Sequence, residues 1–458
     1  MLAPPVVRMR PRDLRAVFDR RRTPGMFARF AAQHPDVVEI RMPGQKLWLV
    51  SNAAWAREVM VDNGRSVTKG VGMRLLRIAL GEGILTTDDA ALHKRNRRLI
   101  NPAFSMSALK TYAEIMVAAA ERAEGRWRAG RVVEITDEMQ RIALDIVGRT
   151  LLGDETDQDA KAVTDALEVI LKRFGLGFLP NPEKLIDTRF PPAVKMRRSI
   201  EVMKATVERV VTEHTDRPDA RQDAVGALIA ATEDGETLSA QQVRDETLTL
   251  LLAGFETTAN ALAWTWWHLD QNPASAERLR AELRDVLGDQ APTFDDIARL
   301  PYTTAVVAET MRLRPPAWIM EREVREPIEF GGYRAEAGTT ILMSPWVIHR
   351  DARYWGADVE QYRPDRWINA DGEFDPTATG APRGAYFPFG AGSRICIGEN
   401  FAWNEAILVL ATLARRWAPV TEPHQEIGIW AAVTLRPHPD IKMRLQPAVS
   451  TAASPVAG

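Results

Sequence analysis

The chain has 458 residues, 45% of them hydrophobic and 26% charged, which is enough apolar material for a large packed core. Its formal net charge of −2 gives no global attraction to nucleic acid or to an anionic membrane. The one cysteine, Cys396, excludes an intramolecular disulfide and any zinc site built on several thiolates.

No Gly/Ser linker, charge block or internal repeat divides the sequence. One large domain is expected, mainly helical with a small β portion. Its ordered core should span about residues 36–445, between a loose Pro-rich start (Ala3-Pro4-Pro5) and a loose tail after Pro447. The N-terminus is too short and proline-broken for a signal peptide or anchor. No apolar run approaches the roughly 18 residues that span a bilayer, so a cytoplasmic protein without a membrane anchor is expected.

In chain order, Asp36–Met42 and Gln45–Ser51 flank Pro43-Gly44 and read as a β-hairpin. Helical periods then dominate: Asp89–Leu99, Ser107–Ala129, Asp137–Leu152, Ala160–Phe174 and Ala193–Thr215. Gly and Pro make Gly175–Pro192 a connection. From Ser239, an expected N-cap, a long helix runs to about Leu269 and stops at Asn272-Pro273. Its middle is nearly uncharged apart from Glu256, so it should cross the core. Helices follow near Ala274–Leu287 and Thr303–Leu313, and strands at Ile328–Tyr333 and Thr339–Ser344. An irregular region covers about Arg350–Pro388, and another helix starts after Gly398. Ile427–Leu435 and Ile441–Leu445 are expected to pair with each other as strands.

The chemistry concentrates in Phe389-Gly-Ala-Gly-Ser-Arg-Ile-Cys-Ile-Gly398. Glycines let a flat group approach the backbone closely, amides at the following helix start favour a thiolate, and Arg394 adds a positive charge able to meet a carboxylate. Read by itself, Cys396 is equally a small buried hydrophobe, or a nucleophile with no histidine nearby to serve as its base.

The pattern Phe-x-x-Gly-x-Arg-x-Cys-x-Gly resembles the haem-binding signature of the cytochrome P450 family, and three further motifs follow the family order. Ala253-Gly-Phe-Glu-Thr-Thr258 resembles the oxygen-activation motif. An acid beside a hydroxyl in an apolar helix is expensive unless it is satisfied or used. The resemblance implies that Thr257 locally opens the helix and, with water, positions dioxygen, while Glu256 feeds protons. Without it, the threonine would simply bond back to the preceding turn. Glu309-Thr-Met-Arg312 places two charges on one helical face. It resembles the family's Glu-x-x-Arg pair, with Arg366 of Tyr362-Arg-Pro-Asp-Arg-Trp367 as third member, supporting the haem pocket. His93-Lys-Arg-Asn-Arg97 implies haem-propionate partners at His93 and Arg97, and Arg322 falls where the family often places another.

The resemblance covers roughly Asp36 to Leu445 and implies a haem b protein with Cys396 as axial iron ligand. It implies a monooxygenase that inserts one atom of O2 into a lipophilic small molecule, by hydroxylation or epoxidation, as in natural-product tailoring. A haem-thiolate peroxygenase, isomerase or dehydratase would need no Glu256–Thr257 pair, and neither would a non-catalytic ligand-binding haem protein. One cysteine cannot hold an iron–sulfur cluster and no flavin-binding segment is visible. Electrons are therefore expected from outside the chain, and the resemblance implies a ferredoxin with its reductase, or a flavodoxin, as their source. Lys94, Arg95 and Arg98 read as a docking face for an acidic carrier, or equally as a solvated basic face. By alignment with the family, Ile84, Leu85, Ala253, Ala317, Trp318, Ile319 and Ile429–Trp430 are the candidate substrate contacts.

Overall fold

One helix of 32 residues, Ala240–Gln271, crosses the molecule over about 48 Å. Ser239 caps it reciprocally with Gln242: the Gln242 N–H donates to Ser239 Oγ at 3.2 Å, and the Ser239 N–H donates to Gln242 Oε1 at 2.9 Å. The computed structural model describes residues 2–42, 45–70, 72–153, 162–163, 165–167, 169–170, 187–216, 223–233 and 235–448. Around the central helix pack Ile135–Leu152, Pro191–Asp216, Pro301–Leu313 and Glu399–Ala414. Their apolar faces merge into the main hydrophobic core. No helix among the described residues is both long and apolar enough to cross a membrane.

The expected helices are present with ends shifted by a few residues: Ala90–Ile100, Met106–Glu124, Ile135–Leu152, Pro191–Asp216, Pro273–Leu287 and Pro301–Leu313. The described residues of the expected helix Ala160–Phe174 are helical, while 160–161, 164, 168 and 171–174 lie outside the described residues. So do the hairpin turn Pro43-Gly44 and most of the connection Gly175–Pro192, whose last two residues open the next helix.

The β portion departs further from expectation. The early hairpin forms, with Val37 opposite Val50 and Met42 opposite Gln45. It joins a six-stranded sheet in the order Val6–Arg8, Val37–Met42, Gln45–Val50, Thr340–Met343, Met320–Val324, Val67–Thr68. The N-terminus, read as loose, supplies the first of these strands and the helices Pro11–Phe18 and Thr23–Gln33, so regular structure begins well before residue 36. The expected strand Ile328–Tyr333 is two short strands folded at Gly331-Gly332, both at positive φ. Ile427–Leu435 does not pair with Ile441–Leu445. A turn divides the first segment, so that Gly428–Ala431 pairs with Leu435–His438, while Lys442–Arg444 pairs with Val132–Glu134 and Val420–Thr421.

Between Arg350 and Pro388 lie turns, short helical pieces and a single bridge between Ile368 and Phe374, and one buried carboxylate holds this region in place. Glu309 takes both Arg312 Nε and Nη2 at 2.8 Å, the Arg363 N–H at 2.9 Å, Arg366 Nε at 3.0 Å and the Trp367 indole N–H at 3.0 Å. Arg312 reaches onward to the carbonyls of His349, Val359 and Gln361. Glu309 and Arg312 are wholly buried, and charges out of water persist only when their donors and acceptors are filled in this way. Removing one member strands the others, so Glu309→Ala is expected to lower stability by about 3–5 kcal/mol. The midpoint of chemical denaturation, at unchanged slope, is the measurement; a loss under about 1 kcal/mol would contradict a tightly coupled hub.

Candidate active site around Cys396

The loop before helix Glu399–Ala414 folds back on itself, with the Cys396 N–H donating to Phe389 O at 3.0 Å. Gly392 has φ +73 and would place a Cβ 2.2 Å from Met60 O, so only glycine lets the loop lie this close to its neighbour. Arg97 Nη1 donates to the Ile395 carbonyl, tying helix Ala90–Ile100 to the residue before the cysteine. Beneath the loop an aromatic group including His349, Trp355, Trp367 and Tyr386 fills the second core cluster. Glu309, Arg312 and Arg366 are joined as the sequence pattern paired them, with the Trp367 indole as an unforeseen fourth partner.

The Cys396 thiol is exposed, but into an internal cavity of about 1150 Å³. Burial pushes its pKa above the usual thiol value. The Gly398 N–H, Arg97 and Lys69 pull it down less, and Glu399 adds to the upward push. The expected thiolate therefore does not follow from the protein alone; desolvation outweighs the helix-start amide. A cation on the cavity side of the sulfur is what would deprotonate it, as a metal does.

The same cavity collects an excess of basic groups. Lys69, Arg322 and Arg394 line it. Burial is the first cause holding Lys69 well below its ordinary pKa, with Arg322 and Arg394 adding to it. Arg322 is held at about 10 by burial and then by Arg394. His93 is pushed to about 3 by burial and by Arg394, Lys69, Arg97 and Arg322, and so is neutral. Glu321 and Asp88 offset this only in part. Four basic residues singled out in the sequence thus do converge, and Lys69, which carried no motif, is a fifth. Among the described residues Lys69 makes no hydrogen bond or ion pair within the fold.

On the opposite wall the central helix presents Ala253, Gly254, Glu256, Thr257, Thr258 and Ala261. Contrary to expectation, Thr257 does not open the helix. Its hydroxyl donates to Ala253 O at 2.8 Å, and the helix runs unbroken through it. Glu256 is 5% exposed, and its Oε1 accepts from Thr434 Oγ1 at 2.7 Å; Thr434 in turn accepts from Asn260 Nδ2 at 3.2 Å. Thr434 belongs to the turn between the paired strands Gly428–Ala431 and Leu435–His438 and was not singled out in the sequence.

Of the expected substrate contacts, Leu85, Ala253, Ala317, Trp318 and Ile319 line the cavity. Ile84 does not: it is buried in the main core, with its N–H given to Glu246 Oε2 at 2.9 Å. Ile429–Trp430 do not line it either; Ala431–Thr434 take their place. Of the expected docking face, Lys94 and Arg98 are exposed, whereas Arg95 is engaged internally with Glu236 and the Thr237 carbonyl, both at 2.7 Å.

A cavity above the roughly 300–1,000 Å³ of ordinary small-molecule sites suits a large cofactor together with a ligand. A thiol aimed into it from a glycine loop and basic side chains in excess of nearby acids suit haem: Cys396 for the iron, and Lys69, His93, Arg97, Arg322 and Arg394 for the propionates. The cytochrome P450 family model matches residues 16–439. The chain belongs to the cytochrome P450 family. It is 33% identical to a cyclooctatin synthase of Streptomyces melanosporofaciens over 440 residues, covering 95% of this chain and 90% of that protein. A pentalenene oxygenase of Streptomyces avermitilis is 31% identical, with 93% of each chain covered. A cyclooctat-9-en-7-ol 5-monooxygenase of Streptomyces melanosporofaciens is 32% identical over 86% of this chain and 85% of its own. This P450 therefore has the mainly helical fold of its family, takes haem b as cofactor and acts as a monooxygenase.

Two outcomes are expected of this P450. Lys69→Met should speed haem loss by roughly tenfold, the size of one lost charge-assisted bond, without destabilising the haem-free fold. Haem transfer to an acceptor protein and denaturation of the haem-free form read the two separately; unchanged retention would remove Lys69 from the site. The second concerns pH. Burial outweighs the bonds from the Ile84 N–H and Asn96 Nδ2 and pushes Glu246 up to about 7, and burial likewise holds Glu321 at about 7. Between about 4.5 and 7 the folded state keeps protons the unfolded chain has lost, so these groups make stability fall as pH rises through that window. Glu246→Gln should flatten part of that slope in denaturation midpoints measured from pH 5 to 8.

Proposed function

We propose that this P450 hydroxylates a lipophilic cyclic terpenoid, as a tailoring step in natural-product synthesis. The observation that carries the reading is the predominantly apolar cavity in which Cys396 and Thr257 face a common space. Support for the terpenoid comes from the relatives, which are named for cyclooctatin, pentalenene and cyclooctat-9-en-7-ol.

When bound, haem ligated by a thiolate supplies dioxygen activation and O–O cleavage. The residues of this chain do the rest. Met73, Leu85, Leu250 and Ile319 hold an apolar ligand by shape and exclude water. Thr257 spends its proton on Ala253 O, so toward the cavity its oxygen offers an acceptor suited to fix a water molecule. Glu256, next in sequence and buried, is the acid that resupplies protons, and Thr434 and Asn260 hold its carboxyl in place. We place the enzyme in the cytoplasm, drawing electrons from a ferredoxin with its reductase or from a flavodoxin. Lys94 and Arg98 are the exposed charges of helix Ala90–Ile100 that would meet such an acidic carrier.

The test is a screen of cyclic terpenes with purified protein, reductant and labelled dioxygen. One labelled atom per product is expected; turnover with peroxide alone, and none with reductant and oxygen, would reverse the reading. Thr257→Ala should keep haem and the absorption of its carbon monoxide complex. Product per reductant consumed should fall by about tenfold or more, with peroxide released instead. Unchanged coupling would remove Thr257 from proton delivery.

A further inference from the structure

The cavity does not end at the apolar wall above Cys396. It continues between the N-terminal segment, where Met9, Val17, Arg20, Thr23 and Phe27 line it, and the last hairpin, where Ala431–Thr434 line it. The Ala431 N–H donates to Arg20 O at 3.0 Å, which fastens these two remote parts of the chain together. Arg436 does not itself line the cavity; it lies on the same hairpin, paired in register with Trp430, two residues beyond Thr434, which does line it. An extended strand covers that in about 7 Å. Arg20 and Arg436 are both half-buried, and burial first, then the charge of Arg436, lowers the pKa of Arg20.

Neither guanidinium has a hydrogen bond or ion pair with its side chain among the described residues. The nearby acids in sequence are already engaged: Asp13 by Arg12 and Arg29, and Asp19 by Arg22 at 3.1 Å. Two guanidiniums that share a partly desolvated place repel one another and cost stability, unless an anion joins them. Guanidinium also binds carboxylate and phosphate through paired N–H donors.

We propose that Arg20 and Arg436 form an anion-binding subsite at the N-terminal end of the cavity. Its ligand is a lipophile bearing a carboxylate or phosphate, whose apolar body extends along the cavity toward Cys396. The proposal rests on the terpenoid reading above and narrows it to substrates with an acidic group at the end away from the oxidised carbon. An anchored head group fixes which carbon reaches the reactive end, so the subsite sets regiochemistry as well as affinity.

Two matched pairs of probes test it by calorimetric titration of the haem-loaded protein: dehydroabietate against its methyl ester, and farnesyl phosphate against farnesol. Wild-type protein should bind the anion of at least one pair about ten- to a hundredfold more tightly than its neutral partner. The pair with the larger difference identifies the head group as carboxylate or phosphate. In Arg20→Gln/Arg436→Gln that preference should vanish while the neutral compounds bind as before, and the double lysine variant should restore part of it. Thermal melting confirms that each variant is folded. If neutral and anionic partners bind wild type alike, or if the preference survives in the double glutamine variant, the subsite is overturned and the lipophile reading stands. If wild type takes up none of the four, the terpenoid reading falls and the subsite with it.

Discussion

Like charges buried side by side repel, and this fold sets Lys69, Arg322 and Arg394 on one cavity, with Arg97 and the neutral His93 close behind, and too few acids to balance them. On the protein alone that arrangement is a cost, visible in basic groups pushed below their ordinary pKa values and in a histidine that stays neutral. Cys396, in the same cavity, is in a matching condition, since burial pushes its pKa up whereas binding a metal would need the thiolate. One group that brings a cation to the sulfur and carboxylates to the basic side chains relieves both costs at once. Haem, with its iron and two propionates, is a group of that kind, and the energy of relieving both costs would be available to hold it.

Such a site needs rigid surroundings, because a loop rich in glycine has little stiffness of its own. The surroundings come from the hub at Glu309. Its two oxygens receive five donors, from a helix, a backbone amide, a second arginine and an indole, and Arg312 passes the connection to three carbonyls of the irregular region. A region with only short helical pieces cannot satisfy most of its backbone by ladders, so side chains must supply part of it. The arginine supplies donors in a fixed fork where peptide groups would otherwise be orphaned. Aromatic packing of Trp355, Trp367 and Tyr386 then fills the space between this hub and the cysteine loop.

What was legible in the sequence was whatever lies close together along it. The long helix, its cap at Ser239 and the cysteine loop each declare themselves within about ten residues, and the Glu309–Arg312 pair within a single turn. Arg366 and Arg322 came into view through the family pattern. Lys69 did not, because a lysine between two short elements has no local signature; only the fold brings it to Arg322 and Arg394. Thr434 was hidden for a related reason: Ile427–Leu435 reads as one strand, and the turn that exposes the threonine to Glu256 forms because the next segment, Leu435–His438, pairs back on the first half. The N-terminal strand and helices are short, and their stability comes from the sheet and hairpin they meet rather than from their own periodicity. Ile84 and Leu85 show the limit of alignment at single-residue scale. The two are adjacent, yet one faces the core beside Glu246 and the other faces the cavity.

The central helix carries the sharpest conflict between local preference and use. Glu256 and Thr257 stand in its most apolar stretch, where unsatisfied polar groups are costly, and the fold resolves the two differently. Thr257 is satisfied inside its own helix by bonding back one turn, which keeps the helix whole and leaves a lone pair rather than a proton toward the cavity. Glu256 cannot be satisfied that way and is met from outside, by Thr434 on a hairpin more than 170 residues later in sequence. The same hairpin binds the N-terminal segment through Ala431 and Arg20. A buried carboxyl on the central helix is thus fixed from a remote part of the chain. Substitutions in that hairpin therefore disturb the hold on Glu256 and the shape of the cavity wall together, because Ala431–Thr434 serve both.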